Sequence, residues 1–280
     1  MTLGAAADLI ADATTRGRAV PAFNVITLEQ VEAVVGGAED ARTPVLLQIS
    51  QNAIGFRTGF APLLSACREL AAESSVAIGI HLDHIEDDVL AQAIIDRGPE
   101  LGVGSLMFDR ATLPYAENVA LTGRIATAAH TAGLWAEGEL GEVGGKDGAH
   151  APGVRTDPAE AAAFVHETGV DLLAVAVGSS HAMTERAAVL DLDLITRLDG
   201  AVPVPLVLHG SSGVPDRMLS EAVDAGIRKV NIGTALGIVG TDRLRRELAE
   251  RPQAVDPRSY LRGVRSATRD EVARLAAVVG

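Results

Sequence analysis

Eight short apolar runs, each followed by a helix-like stretch, repeat along the chain, and every run finishes on a polar residue. Those ends are Asn24, Ser50, Asp83 with His84, Asp109, Glu139, His181, His209 and Asn231. Strands that alternate with helices build a parallel sheet, because two parallel neighbours need a crossover long enough to hold a helix. No linker, low-complexity run or change of composition interrupts the pattern, so a single domain over residues 1–280 is predicted. The expected fold is α/β, a (β/α)8 TIM barrel with an extra N-terminal helix and a C-terminal helical extension. In such a barrel the carboxyl ends of all strands open on one face, where active sites sit. Polar residues gathered at those ends read as one site.

Composition supports the same reading. Apolar residues make up 48% of the chain and aromatics 3%, so the core is built from Ala, Val, Leu and Ile, as in parallel strands covered on both faces. A formal charge of −13 argues against nucleic acid or an anionic membrane as partner. No apolar run approaches the roughly 18–20 residues that span a bilayer. The start, Met1-Thr-Leu-Gly, lacks the basic residues of a signal peptide. The one cysteine, Cys67, lies in an Ala/Leu-rich helical pattern and reads as a core thiol. A soluble, cytoplasmic protein is expected.

The third run carries the densest chemistry. Val76 to Ile80 is followed by His81-Leu82-Asp83-His84 and then by Glu86-Asp87-Asp88, which opens a helix. A carboxylate buried at a strand end needs a partner, either a hydrogen-bonded imidazole or a metal ion. His84, His181 and His209 end the third, sixth and seventh strands, so in a closed barrel the three can hold one divalent ion and leave a position open. His130 and His166 fall in helical stretches, His150 in a loop, and His81 inside the strand as a core or supporting group. Gly210-Ser211-Ser212 and Asn231-Ile232-Gly233-Thr234 follow the last two strands, where this fold cradles phosphate. Five glycines between Gly141 and Gly153 predict a mobile lid.

Taken together these residues resemble a known family. Ala22-Phe-Asn24, His81-Leu-Asp-His84, Glu139-Leu-Gly141 with Gly144-Gly145, Gly178-Ser-Ser-His181, Leu208-His-Gly-Ser-Ser212 and Lys229-Val-Asn231 look like the motifs of class II, metal-dependent ketose-bisphosphate aldolases. The resemblance is strongest to the fructose-bisphosphate and tagatose-bisphosphate branch and runs on to Asp256-Pro-Arg258-Ser-Tyr260. It implies Zn2+ on His84, His181 and His209, with Asp109 and Glu139 as secondary metal carboxylates. It makes Asp83 the proton donor to the aldehyde oxygen, and a lid carboxylate, Asp147 or Glu142, the group that exchanges the proton on dihydroxyacetone phosphate. Ketose-phosphate contacts fall on Gly210, Ser211, Ser212, Asn231, Ile232, Gly233, Thr234 and Ala182, with Asn24 and Ser50 lining the site. A monovalent cation near the phosphate, a homodimer or homotetramer, and a role in carbohydrate metabolism are further implications.

The chain departs from that family at three places. Ala182-Met183 follows the second zinc histidine, where the family has glycine. Arg110-Ala111 replaces Gly-Ser after Asp109, so Arg110 either places a guanidinium near the mouth or points to solvent. Lys146-Asp147 replaces an acidic pair in the lid. A lysine Schiff base is the alternative aldolase chemistry, and the lysines present are Lys146 in the lid and Lys229, expected at the start of the eighth strand and so at the wrong end of the barrel. A silent sugar-phosphate sensor and a different zinc-dependent barrel enzyme are the competing functions. If Ala182 costs a charge-assisted backbone contact to phosphate, about 1.5–3 kcal/mol is lost, so Ala182→Gly should improve kcat/KM for fructose or tagatose bisphosphate. An unchanged ratio across several sugars would show that residue 182 does not tune specificity.

Overall fold

Eight strands close on themselves in the computed structural model, which describes residues 3–57, 59–141, 154–180 and 185–280. The strands are β1 (Val20–Asn24), β2 (Val45–Ser50), β3 (Ile78–Ile85), β4 (Ser105–Phe108), β5 (Trp135–Leu140), β6 (Leu172–Val175), β7 (Leu206–Leu208) and β8 (Ile227–Ile232). Each pairs in parallel with the next, and β8 pairs back onto β1 through Ala22 and Asn231. Around them run α1 (Ala6–Thr15), α2 (Leu28–Ala41), α3 (Gln51–Phe56), α4 (Ala61–Glu73), α5 (Asp88–Arg97) and α6 (Tyr115–Thr131). The second half adds α7 (Pro158–Thr168), α8 (Leu192–Ala201), α9 (Asp216–Ala225), α10 (Thr234–Glu250) and α11 (Pro257–Val279). This is the expected (β/α)8 barrel, with α1 ahead of it and α11 as the extension.

Strand alternation divides the apolar residues into two cores. Phe23, Leu47, Ile80, Leu82, Leu106, Val175 and Ile232 face the surrounding helices. The residues between them, Ala22, Leu46, Met107, Ala174 and Val207, meet inside the barrel and pack on Ala6, Leu9 and Ile10 of α1. That helix plugs the amino end, held by the Gly4 N–H donating to the Ile78 carbonyl at 2.9 Å. Cys67 is buried in the outer core, and burial pushes its thiol up to about 12. With one end of the lumen apolar and plugged, its polar residues gather towards the other end.

Local signals explain most element ends. Thr27 and Gln30 form the expected capping box, the Thr27 hydroxyl accepting from the Gln30 N–H at 3.3 Å and the Gln30 side chain accepting from the Thr27 N–H at 3.2 Å. Asp157 caps α7 by accepting from the Ala159 and Glu160 N–H groups. The short α3 was not foreseen; Ser50, which ends β2, also caps it by accepting from the Ala53 N–H at 3.2 Å. Two boundaries correct the sequence reading. β3 runs on through His81-Leu-Asp-His84 to Ile85, and β8 begins at Ile227, two residues before Lys229. Among the described residues, no helix is long and apolar enough to cross a membrane.

The extension closes the ring by packing α11 on α2. Arg269 pairs with Asp40 at 2.5 Å and Arg265 with Glu32, half-exposed ion pairs that each contribute little. The close approach is at Gly37, where an added Cβ would lie 2.6 Å from the Arg269 carbonyl oxygen and 2.7 Å from Val272 Cβ. Gly37→Ala is therefore expected to destabilise the protein by about 1–3 kcal/mol, the usual cost of overpacking, despite alanine's better helix propensity. Gly200→Ala in α8, where nothing lies within 4 Å of the new Cβ, should be neutral or slightly stabilising. Urea unfolding of the two variants would check the contrast; equal stabilities would show that the α2–α11 contact is not tight.

Candidate active site

A bulge in β3 builds the centre of the mouth. Leu82 pairs with Leu106 and Ile85 with Phe108, so Asp83 and His84 together stand against Met107 alone. Strict alternation would send two consecutive residues to opposite faces of the sheet. The extra residue lets Asp83 and His84 both address the mouth and returns Ile85 to the helix side, where it is fully buried. His84 takes the strain, with φ +48 in the left-handed region, a conformation that costs roughly 1–2 kcal/mol for a residue bearing a Cβ.

Both imidazoles described at the mouth are held by a carboxylate behind them. His84 Nδ1 lies 2.8 Å from Asp109 Oδ2, and His209 Nε2 lies 2.9 Å from Glu137 Oε1. Ionised carboxylates only accept, so both of these nitrogens carry the hydrogen. The remaining pair, His84 Nε2 and His209 Nδ1, then turn lone pairs towards each other at 2.9 Å. A cation between them relieves that opposition, and neutral imidazole is the form that binds one. Burial keeps His209 below its ordinary protonation range, although the Glu137 hydrogen bond pulls the other way. Ligand atoms of Asp83, His84 and His209 lie within 4.8 Å of one another, as do those of His84, Asp109 and Glu139. This donor set fits a divalent metal.

Asp83 is nearly buried and held from two sides. Its Oδ2 accepts from the Asn24 amide at 2.8 Å and its Oδ1 from the Asn231 amide at 3.3 Å. Burial alone would raise its carboxyl, but the positive charges of His84 and His209 when protonated, and of Lys229, outweigh that and hold it below the usual carboxylate range. A cavity of about 540 Å³ opens above, lined by Asn24, Ser50, Asp83, His84 and His209 and by the loops after β7 and β8. Gly210 sits at φ +65, and a Cβ there would lie 2.6 Å from the Ser180 carbonyl carbon and oxygen, so only glycine lets the β7 loop pass so close. Ser212 Oγ accepts from the Ala235 N–H at 3.0 Å, tying that loop to the first turn of α10.

The structure thus brings together Asn24, Ser50, Asp83, His84, Asp109, Glu139, His209, Gly210 to Ser212, Asn231, Gly233 and Thr234 at one end of the barrel. Ile232 is different: its side chain turns outward into the barrel–helix core and does not line the cavity. Arg110 takes neither expected course. Its guanidinium donates to Asp88 at 2.6 Å and stacks 5.0 Å from the Phe108 ring centre, away from the mouth. His181, Ala182, Glu142, Lys146, Asp147 and His150 lie outside the described residues.

Sequence reasoning missed Glu137 and misplaced Lys229. Both are fully buried in the lumen, 2.6 Å apart. Their signal was the period of two, since Glu137 precedes Glu139 and Lys229 precedes Asn231 by one inward step. Lys229 points inward in phase with Asn231, while the β7–β8 register shift before it, Leu206 pairing with Ile227 but Val207 with Lys229, leaves Ile227 in the outer core. His81 completes the group, its Nδ1 2.7 Å from Ser105 Oγ and its Nε2 3.4 Å from the Lys229 ammonium. Burial, helped by the Lys229 charge, pushes His81 down to about 3, so it is neutral.

Comparisons with known proteins agree with this fold. The YdjI aldolase of Escherichia coli K12 superposes with a TM-score of 0.84 at 29% identity, covering 99% of this chain and 97% of its own. A protein provisionally described as a fructose-1,6-biphosphate aldolase from Coccidioides immitis gives a TM-score of 0.87 at 27% identity, with 98% and 96% covered. The fructose-bisphosphate aldolase of Campylobacter jejuni, at 20% identity and a TM-score of 0.83 over 98% and 93% of the two chains, shares the fold. The family model for class-II fructose-bisphosphate aldolase matches residues 5–280. The chain belongs to the class-II fructose-bisphosphate aldolase family.

Proposed function

We propose that this protein is a zinc-dependent aldolase that cleaves and forms a ketose phosphate or bisphosphate, with dihydroxyacetone phosphate as one product. The observation that carries this reading is the pair of imidazole nitrogens, His84 Nε2 and His209 Nδ1, turned on one point at 2.9 Å beside the Asp83 carboxylate. His84 and His209, with His181 as the third ligand, would hold the ion. A divalent ion there supplies Lewis-acid polarisation of the ketose carbonyl and of the enediolate left on cleavage.

The chain's own groups have separate tasks. In the cleavage direction the hydroxyl next to the scissile bond must lose a proton, and an ionised carboxylate is the form able to take it. Asp83 is ionised and is held by Asn24 and Asn231 so that it cannot swing out of the mouth. The β7 loop and the N-terminal end of α10 offer a phosphate seat: Gly233 has no side chain to cap that helix start or to crowd an anion, and the helix dipole favours an anion there. The proton on the dihydroxyacetone phosphate carbon is assigned to Asp147 or Glu142.

Three measurements test the reading. Retro-aldol cleavage of a panel of ketose phosphates should require metal, being abolished by a chelator and restored by zinc or cobalt; full activity in metal-free protein would sink it. His209→Ala should lose the metal. Asp83→Ala should keep metal content near wild type while turnover falls about 10²–10⁴-fold, the range for a general acid–base group. Loss of zinc together with activity would make Asp83 a ligand instead.

A further inference from the structure

Beneath the mouth, the barrel encloses a lysine–glutamate pair that no surface access explains. Glu137 and Lys229 are both 0% exposed. Lys229 Nζ donates to Glu137 Oε2 at 2.6 Å, and the other oxygen, Oε1, receives the His209 Nε2 hydrogen at 2.9 Å. Removing such a pair from water costs about as much as its mutual attraction returns, so packing alone does not call for it. What the pair does have is direction. With Oε2 engaged by the ammonium, the carboxylate has one orientation left, and that orientation aims Oε1 at His209.

We infer that Lys229 is a positioning residue for the metal centre, acting through Glu137 to set which nitrogen His209 turns to the mouth. A carboxylate accepts and does not donate, so His209 must present Nε2–H to it and keep its lone pair on Nδ1. That lone pair faces His84 Nε2, which Asp109 orients in the same manner. The two imidazoles thus rest on different anchors: Asp109 stands near the mouth at the end of β4, whereas Glu137 is fixed from below by an ammonium on the opposite side of the barrel, in β8. His81 buttresses Lys229 from β3, with its own ring fixed by Ser105. Without the ammonium, Glu137 loses its second anchor and can turn away, leaving His209 free to carry its hydrogen on either nitrogen. The inference rests on the metal-binding reading of His84 and His209.

The test uses the full chain, with 15N-labelled histidine in metal-free protein and zinc affinity by competition with a chromophoric chelator. In wild type the His209 nitrogen shifts should report the Nε2–H tautomer. Lys229→Met, which fills the same space without charge, should fold, show a mixed His209 tautomer and bind zinc about 10–100-fold more weakly. Glu137→Gln should weaken zinc binding similarly. Because Lys229 acts through Glu137, the double variant should bind no more weakly than Glu137→Gln alone, whereas independent effects would multiply. Wild-type zinc affinity in Lys229→Met, or an Nδ1–H tautomer in wild-type apoprotein, would overturn the inference. If Lys229→Met does not fold, the wild-type tautomer and the Glu137→Gln affinity decide it. A wild type that binds no zinc at all would instead overturn the metal reading, and the tautomer measurement would still stand.

Discussion

A closed barrel gives each strand one inward residue in two, and a polar group buried in the lumen must find a partner there. Everything at the functional end of this protein follows from how that constraint is met. Several buried polar side chains of the lumen reach a partner on another strand or strand end: His81 on Ser105, Asp83 on Asn24 and Asn231, His209 on Glu137, Glu137 on Lys229. His81 and Ser105 join neighbouring strands, whereas Glu137 and Lys229 reach across the barrel. These pairings tie β3, β5, β7 and β8 into one rigid constellation, so the mouth is preorganised by the same bonds that make its burial tolerable.

Two irregularities in strand pairing make this possible. The β3 bulge brings consecutive residues, Asp83 and His84, to one face at the expense of a left-handed histidine. The β7–β8 register shift lets Ile227 and Lys229 take opposite sides of β8, Ile227 joining Val230 and Ile232 in the outer core and Lys229 entering the lumen. Regular strands would have delivered either His84 or Asp83 from β3 to the mouth, not both. Backbone strain at a site that binds and reacts is a familiar trade, and here its structural return is visible in the placement of two adjacent side chains.

The division of labour between the barrel's ends matches the chemistry assigned to it. α1 and an apolar layer seal the amino end, so the charged layer above is shielded and its electrostatics are strong. The helix side carries the remaining stability, with α11 clasped on α2 at Gly37. The site itself is assembled from strand ends and short loops, and Arg110, just beyond one strand end, has its guanidinium drawn off to Asp88 and Phe108.

The linear chain alone determined the barrel, the mouth and most of its lining. Alternating apolar runs and capped helices are local properties, and a polar residue at each strand end marks the open face whatever the exact geometry. What only the tertiary structure decided is which interior residues meet. Glu137 and Lys229 are 92 positions apart, and nothing near either in the chain signals a partner. The sequence alone puts Lys229 at the start of β8, whereas the strand begins at Ile227, and a strand's start is fixed by its neighbour's register, not by its own composition. The β3 bulge was likewise invisible, since an extra residue in a strand exists only relative to the strand beside it. Pairing across a closed barrel is a long-range property, and that is the physical reason it could be found only in the fold.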